Sequence, residues 1–123
     1  MKGLGVDVVS LTEMQGTLER AGDAFLDKVF DPEELDAIPL GGVRLRHIAS
    51  NFAVKEAVFK CLGASWTPRA SFADIKVTRT SAGIPSVTLA GDFAAALTAR
   101  GGGNVLVSLS VSGDIAVAVA ALE

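Results

Sequence analysis

The feature that most constrains the fold is a long helical segment that is apolar on two opposite sides. Residues 43–62 follow a Gly-Gly pair and end before Gly63. At about 100° per residue, one apolar stripe comprises Leu45, Ile48, Phe52, Phe59 and Leu62, and the opposite side carries Val54, Val58 and Cys61. A helix that is apolar on both sides is surrounded by protein. The sequence therefore predicts a central helix with the remaining chain packed around it.

Shorter elements flank this helix on both sides. Residues 4–9 predict a strand, and a helix starts behind it, where Ser10 and Glu13 have the spacing of a capping box. Asp31-Pro32 begins a second short helix, and Gly22 is the expected end of the first. Two hairpins (72–79 with 86–90, and 105–111 with 115–121), a helix over 92–100 and a flexible hinge at 101–103 complete the prediction. The expected fold class is α+β, one domain over residues 1–123 with antiparallel sheet around the central helix.

Composition excludes several classes of protein. The net charge of −3 does not favour a nucleic-acid binder, and no apolar run approaches the roughly 20 residues of a membrane helix. Asp7 comes too early for a signal peptide. The single cysteine, Cys61, excludes an internal disulfide framework and a cysteine-based zinc site. These observations predict a cytoplasmic protein without a membrane partner.

Polar residues on the central helix mark a candidate site. Glu56 and Lys60 are four residues apart and share a face, and Ala49 and Ala53 lie one and two turns earlier on that side, with Arg46 nearby. Small residues beside one acid and two cations are typical of a pocket wall that receives an anion. The alternative is an ordinary Glu56–Lys60 helix pair, worth a few tenths of a kcal/mol. Spacing alone favours that alternative.

Asp7 interrupts an apolar strand. A buried carboxylate costs several kcal/mol unless it is paired, hydrogen-bonded or bound to a cation. The pattern leaves open whether Asp7 bonds a loop amide at the strand edge or binds a metal. An Asp and a Glu converging from separate elements would form a hard oxygen site that suits Mg²⁺. Lys55 falls within the apolar stripe, where snorkelling past the core edge is the simple expectation.

Two motifs resemble those of the small bacterial holo-acyl-carrier-protein synthases. Residues 5–9, GVDVV, are similar to G-[IV]-D-[IV]-V, and residues 52–63, FAVKEAVFKCLG, are similar to F-[AS]-x-K-E-A-x-x-K-A-[LF]-G. Residues 72–77 and the segment 83–85 also match, so the resemblance covers nearly the whole chain. The second motif is long enough to be specific. The resemblance implies the 4′-phosphopantetheinyl transferase fold.

The resemblance also implies an activity and its residues. This family transfers the 4′-phosphopantetheine arm of coenzyme A to a serine of an acyl carrier protein and releases 3′,5′-ADP. By carry-over, Asp7 and Glu56 hold Mg²⁺ against the pyrophosphate, and Lys60 neutralises the transferring phosphoryl group. Lys55 is a further candidate phosphate contact. Glu56, or a metal-bound water near it, helps to deprotonate the serine, a division of labour that suits phosphoryl transfer.

The coenzyme contacts and the assembly follow from the same resemblance. Gly83 and Pro85 are expected near the nucleotide, Ser108 and Ser110 as possible phosphate contacts, and Arg46 as a coenzyme-binding cation. The expected assembly is a homotrimer with its active sites at the clefts between subunits.

The chain departs from the family pattern at three places. Residues 106–111, LVSLSV, stand where family members usually carry H-[VI]-S-[IL]-[ST]-H, so both histidines are absent. Asn51 occupies a position that is commonly Arg. The helix after Asp7, usually basic, carries Glu13, with Arg20 its one cation over residues 10–22. The single histidine, His47, is expected to be structural.

Three hypotheses therefore stand at the level of sequence. The leading one is a working phosphopantetheinyl transferase with an unusual carrier partner. The second is a trimeric member of the fold that binds coenzyme A or a carrier without transfer. The third is an enzyme of different chemistry in the same cleft, because a fold does not determine function.

Overall fold

The structure, a computed structural model, describes residues 1–63 and 70–123. A 3₁₀ turn at Phe72–Asp74 lies between the central helix and the second strand. The other elements are, in chain order, β1 (Gly3–Ser10), α1 (Leu11–Ala21), α2 (Asp23–Val29), α3 (Pro32–Ala37), α4 (Arg44–Leu62), β2 (Ile75–Arg79), β3 (Pro85–Leu89), α5 (Gly91–Ala99), β4 (Val105–Ser112) and β5 (Ile115–Leu122).

The strands form two antiparallel sheets. The larger has the order β1-β5-β4, and β5 pairs with β1 from Gly3↔Leu122 to Ser10↔Ile115. The smaller is the β2–β3 hairpin. Both predicted hairpins and the α+β class are confirmed, with the antiparallel sheet divided into two pieces.

The central position of α4 is confirmed by its burial. The helix packs against β1 and β5, and most of its length is buried from Ile48 to Leu62. Its backbone lies close to β1, since a Cβ atom on Gly5 would stand 2.0 Å from the Ala57 carbonyl oxygen. On β5, small side chains face the helix: Ala116, Ala118 and Ala120. Small residues on both strands therefore allow the helix to sit directly on the sheet.

Contacts between phenylalanine rings pack α2, α5 and the 3₁₀ turn against α4. Phe52 meets Phe25 of α2 at 5.6 Å between ring centroids, and Phe59 meets Phe93 of α5 at 5.9 Å, both edge to face. Phe72 contacts both α4 rings, at 6.0 and 5.8 Å. The elements α2, α5 and the 3₁₀ turn thus pack against the predicted apolar stripe of α4.

The elements differ from the sequence prediction at three places. Gly22, with φ of 52°, ends α1 as expected but also immediately precedes a helix, α2, that was not predicted. The predicted strand from residue 72 begins with the 3₁₀ turn, because Ser71 Oγ accepts a hydrogen bond from the Ala73 amide. The predicted flexible hinge at 101–103 is a hydrogen-bonded turn: Lys2 Nζ donates to the Gly102 carbonyl at 2.7 Å, and the Gly102 amide donates to Leu97.

Candidate active site

One cavity brings the two predicted acids together. It has a volume of about 340 Å³ and lies where β1, α1 and α4 meet. Asp7 reaches it from the strand, Glu56 from the central helix and Glu13 from α1. Phe25 and Phe52 supply apolar wall. The acid on the first strand and the acid on the long helix therefore line the same cavity, as the sequence predicts.

Lys60 binds Asp7 rather than Glu56. Its ammonium donates to Asp7 Oδ1 at 2.9 Å and to the Val6 carbonyl at 3.1 Å. The hydrogen bond that Lys60 donates to Asp7 raises the pKa of Lys60, so the side chain stays charged. This arrangement differs from two alternatives that the sequence left open, a bond from a loop amide to Asp7 and an ion pair between Glu56 and Lys60. Asp7 is paired with an ammonium, and Lys60 binds a residue of β1 instead of Glu56.

Glu56 is held in an environment that opposes its charge. Burial raises the pKa of its carboxyl, the negative charge of Asp7 raises it further, and Lys60 offsets part of the effect. A cation between the two carboxylates would relieve both contributions. Over residues 1–63 and 70–123, no cluster of three or more His, Cys, Asp or Glu side chains could hold a metal. Two carboxylates are nevertheless a suitable set for Mg²⁺, which takes its other ligands from water and substrate phosphate.

The β4–β5 turn fixes the rim of this cavity. Asp114 Oδ1 accepts from the Thr12 amide at 2.9 Å and from the Thr12 hydroxyl at 2.7 Å. Ser10 Oγ donates to Asp114 Oδ2 at 2.8 Å and accepts from the Glu13 amide at 3.1 Å. The predicted N-cap is confirmed at Ser10, and Asp114 strengthens it. The start of α1 is thereby held against the strand that carries Asp7.

Lys55 lies in the interior, which corrects two expectations from the sequence. Its side chain is 0% exposed, and its ammonium donates to Glu34 Oε1 at 2.8 Å and to the carbonyls of Phe72 and Ile75 at 2.8 and 2.5 Å. All three protons are therefore used. Lys55 does not snorkel, because Glu34 on α3 gives it a buried counter-ion, and its predicted phosphate contact does not fit this geometry.

The remaining predicted coenzyme residues lie outside the Asp7–Glu56 cavity. Gly83 lines a second cavity of about 590 Å³, and Pro85 lines a third of about 640 Å³ between β3 and β4. Ser108 and Ser110 are exposed on the outer face of the larger sheet, and Arg46 is exposed near the start of α4. One chain therefore assembles Asp7, Glu56 and Lys60 but does not bring these five residues to them.

Comparison with known proteins gives the family. Residues 3–120 match the 4′-phosphopantetheinyl transferase superfamily. The chain belongs to this superfamily. Among curated members, it is 38% identical to a holo-[acyl-carrier-protein] synthase of Solidesulfovibrio magneticus over 123 residues, 100% of this chain and 98% of the relative. It is 40% identical to the corresponding protein of Desulfovibrio desulfuricans, covering 98% of this chain and 96% of that one.

Solved structures of superfamily members share the fold over their full lengths. The crystal structure of holo-[acyl-carrier-protein] synthase from Neisseria meningitidis matches with a TM-score of 0.88 and 29% identity, covering 100% of this chain and 98% of that one. The Helicobacter pylori enzyme, in complex with coenzyme A, matches with a TM-score of 0.82 and 26% identity, covering 98% and 99%. No helix in the described ranges is long and apolar enough to cross a membrane.

This chain also holds a polar cluster that its sequence pattern does not predict. Arg79 of β2 donates from Nε and Nη2 to Asn51 Oδ1 at 3.1 and 2.6 Å, and from Nη2 to Ser50 Oγ at 2.6 Å. In the sequence, Asn51 is distinguished only as a departure from the usual Arg. A cation does contact the residue at this position, and it comes from β2. Its one signal in the sequence was an Arg at the end of a strand just before a predicted turn.

Proposed function

We propose that this chain transfers the 4′-phosphopantetheine arm of coenzyme A to a serine of an acyl carrier protein, with release of 3′,5′-ADP. The observation that carries the proposal is the convergence of Asp7 and Glu56 in one cavity, with Lys60 bound to Asp7. The named activity of the curated relatives supports the acceptor. The coenzyme A complex of the Helicobacter pylori relative supports the donor.

The two carboxylates fit a divalent cation. Asp7 and Glu56 offer hard oxygen ligands, and their mutual repulsion disappears when a cation binds between them. When bound, Mg²⁺ would neutralise charge on the pyrophosphate and polarise the phosphoryl oxygens. Asp7 would hold it from the strand and Glu56 from the central helix.

Lys60 is placed to contact the phosphoryl group that moves. Its side chain is 52% exposed, and two hydrogen bonds fix its ammonium beside Asp7. Within the described residues the third proton has no acceptor, so it can be donated to a phosphoryl oxygen. A fixed positive charge at that point stabilises the charge that develops during transfer.

Glu56 is suited to accept the proton of the attacking hydroxyl. Its carboxylate lines the same cavity as Asp7, so an acceptor hydroxyl bound beside the metal lies within its reach, directly or through a metal-bound water. The serine oxygen attacks the phosphorus that carries pantetheine, and its proton passes to Glu56. The bond from that phosphorus to the bridging oxygen breaks, and 3′,5′-ADP leaves with the bridging oxygen.

We further propose that the chain acts as a homotrimer in the cytoplasm. The outer face of the larger sheet exposes a row of apolar side chains, which are Leu4, Val6, Val8, Leu106, Ile115 and Val119. A continuous exposed apolar face of this kind marks a protein contact. Ser108 lies on the same face, opposite Val119. Assembly through the face would therefore place Ser108 and Ser110 beside a neighbouring subunit.

The transfer is tested by weighing carriers. The chain is incubated with coenzyme A, Mg²⁺ and several apo acyl carrier proteins, and each carrier is also supplied with its acceptor serine replaced by alanine. The proposal expects a mass gain of one phosphopantetheine arm on at least one carrier and none on its alanine variant. Thermal stabilisation by coenzyme A without any mass gain would instead support the binding-only hypothesis, and neither effect would support different chemistry.

A further inference from the structure

Glu13 lines the Asp7–Glu56 cavity from α1, but the fold does not use its carboxylate. The capping box expected from Ser10 and Glu13 forms only in part, because Ser10 Oγ accepts from the Glu13 amide at 3.1 Å without a return bond. The start of α3, in contrast, has both bonds of a capping box. Within residues 1–63 and 70–123, the Glu13 carboxylate accepts no hydrogen bond and forms no ion pair.

Glu13 is not a third ligand of the proposed metal either. Among the described residues, no three His, Cys, Asp or Glu side chains are grouped closely enough to hold a metal, so Glu13 does not join Asp7 and Glu56 in such a cluster. The ammonium of Lys60 is bound to Asp7 at 2.9 Å and is not paired with Glu13. A negative charge beside phosphate groups does not attract them. A cation from outside the chain is therefore the group that this carboxylate favours.

The backbone that carries Glu13 is fixed against the strand that carries Asp7. The Leu11 amide donates to the Asp114 carbonyl at 2.8 Å, and the amide and hydroxyl of Thr12 donate to Asp114 Oδ1 at 2.9 and 2.7 Å. Glu13 follows directly and is exposed. A molecule that enters the cavity from solvent therefore meets this carboxylate at a defined place on the rim.

The exposed surface of α1 and α2 does not offset the charge of Glu13. It carries four acids and two cations, none of them in an ion pair within the part of the chain that the structure describes: Glu13, Glu19, Asp23, Asp27, Arg20 and Lys28. Arg20 lies seven residues after Glu13, about 10 Å along the helix axis. Its guanidinium lies over Gly16, where an added Cβ would stand 3.1 Å from Arg20 Nη1. The surface beside the cavity is therefore negative next to Glu13.

We propose that Glu13 selects acyl carrier proteins that have a basic residue beside the acceptor serine. The inference rests on the proposed function and deepens it, because it names the class of carrier. The serine oxygen must reach the phosphorus in the cavity, and each neighbouring residue of the carrier follows at about 3.8 Å between Cα atoms. A basic neighbour is attracted by Glu13, whereas an acidic neighbour meets a like charge.

Binding measurements that require no transfer test this selection. Several apo acyl carrier proteins are prepared with the acceptor serine replaced by alanine and with Asp, Asn or Lys at the position before it. A second series carries the same three residues at the position after it. In calorimetry at about 0.05 M salt, the unmodified chain should bind the Lys form about 5- to 30-fold more tightly than the Asp form in at least one series, with Asn between. At about 0.5 M salt this ratio should fall by at least half, because exposed charges are screened.

Reversal of the charge at the rim gives the sharper comparison. Glu13→Lys should prefer the Asp form over the Lys form, and Glu13→Gln should bind all three forms alike. Glu19→Lys is the matched control, because it makes the same change of charge on α1 at a residue that does not line the cavity, and it should keep the preference of the unmodified chain. Equal affinity of the unmodified chain for the three forms in both series, no binding of any Lys form, or a preference that survives in Glu13→Gln would overturn the inference.

The outcome is separable from that of the proposed function. If carriers gain the phosphopantetheine arm while their affinity does not follow the charge of residue 13, the selection by Glu13 is wrong and the transferase stands. If no carrier gains mass but binding follows that charge, the carrier contact stands and the transferase does not.

Discussion

At the scale of single residues, the electrostatic repulsion between Asp7 and Glu56 is the most informative feature of this chain. The sequence pattern marked both acids as charged exceptions on apolar elements but left their roles open, and the metal-binding role followed from the family resemblance. The phosphoryl contact of Lys60 also followed from the resemblance, because its spacing alone favoured an ion pair with Glu56. The partners of a buried charge could not be predicted from the local pattern, because they come from distant segments of the chain. Helical spacing showed that Lys55 faces the core but not that Glu34 of α3 would meet it there.

The raised pKa of Glu56 predicts a pH-dependent penalty on the metal-free protein. The folded state holds the Glu56 proton more tightly than the unfolded state, so stability falls as pH rises through and above the ordinary value of 4.5. Glu56→Gln cannot ionise. We therefore expect this variant to have the higher melting temperature at pH 8 in EDTA, with the advantage shrinking towards pH 4.

Differential scanning fluorimetry across pH checks this expectation. Mg²⁺ should raise the melting temperature of the unmodified chain more than that of Glu56→Gln, because the variant binds the cation more weakly. Glu19→Gln, a change of the same charge on the exposed side of α1, is the control. A melting-temperature difference that is the same at pH 4 and pH 8 would show that the Glu56 carboxyl is not under electrostatic strain.

The buried Lys55–Glu34 pair predicts a structural role for Lys55. Lys55→Met should lower the free energy of unfolding by about 3–5 kcal/mol, because Glu34 is left as an unpaired buried charge. Adding Glu34→Gln should recover part of that loss, which a double-mutant cycle in urea measures. A Lys55→Met variant with unchanged stability and a raised KM for coenzyme A would restore Lys55 as a phosphate contact.

At the scale of elements, the close contact between α4 and the larger sheet sets the geometry of the site. Gly5 precedes Asp7 on β1 by two residues and faces the helix at the turn of Ala57, next to Glu56. The first motif therefore has a physical reason: a glycine permits the approach that brings the two acids into one cavity. Hydrophobic period and turn residues were enough to predict α4 and the hairpins. They did not reveal α2, because a glycine that ends one helix gives no sign that another begins.

Gly5→Ala tests that approach. The new Cβ would lie 2.0 Å from the Ala57 oxygen and 2.7 Å from the Cys61 nitrogen, both backbone atoms that cannot move aside without displacing α4. We expect a loss of about 3 kcal/mol or more in unfolding free energy, measured in urea. Gly42→Ala is the matched control, because its Cβ meets nothing within 4 Å and it should change stability by about 0.5 kcal/mol at most. Equal stability of the two variants would contradict the close contact.

At the scale of the whole molecule, the exposed apolar face of the β1-β5-β4 sheet predicts self-association. The five predicted coenzyme residues that lie away from Asp7 within one chain agree with an active site completed between subunits. Such an arrangement is beyond what the sequence of one chain can locate, since the neighbours of Ser108 would belong to another copy. The contact of Arg79 with Asn51 lies within one chain, but its two residues are 28 positions apart, so local sequence patterns do not predict it either.

A charge on that face should dissociate the assembly. Val6, which is 53% exposed, points outward between Leu4 and Val8, and Val6→Glu would place a carboxylate in the proposed contact. Sedimentation velocity should give three times the chain mass of 12.6 kDa for the unmodified protein and a single chain mass for the variant. Leu40→Glu, at the exposed side chain before α4, should remain a trimer. A monomeric unmodified protein, or a Val6→Glu variant that stays trimeric, would contradict this use of the sheet.

The central claim is that Asp7 and Glu56 together hold one divalent cation. Electron paramagnetic resonance of Mn²⁺ in the presence of coenzyme A measures this directly, since bound Mn²⁺ loses the sharp signal of the free ion. We predict one bound ion per chain in the unmodified protein and in Glu19→Gln. In Asp7→Asn and in Glu56→Gln, the affinity for Mn²⁺ should be weaker by at least about ten-fold, with both variants folded. Mn²⁺ binding that is unaffected by either substitution would contradict the account.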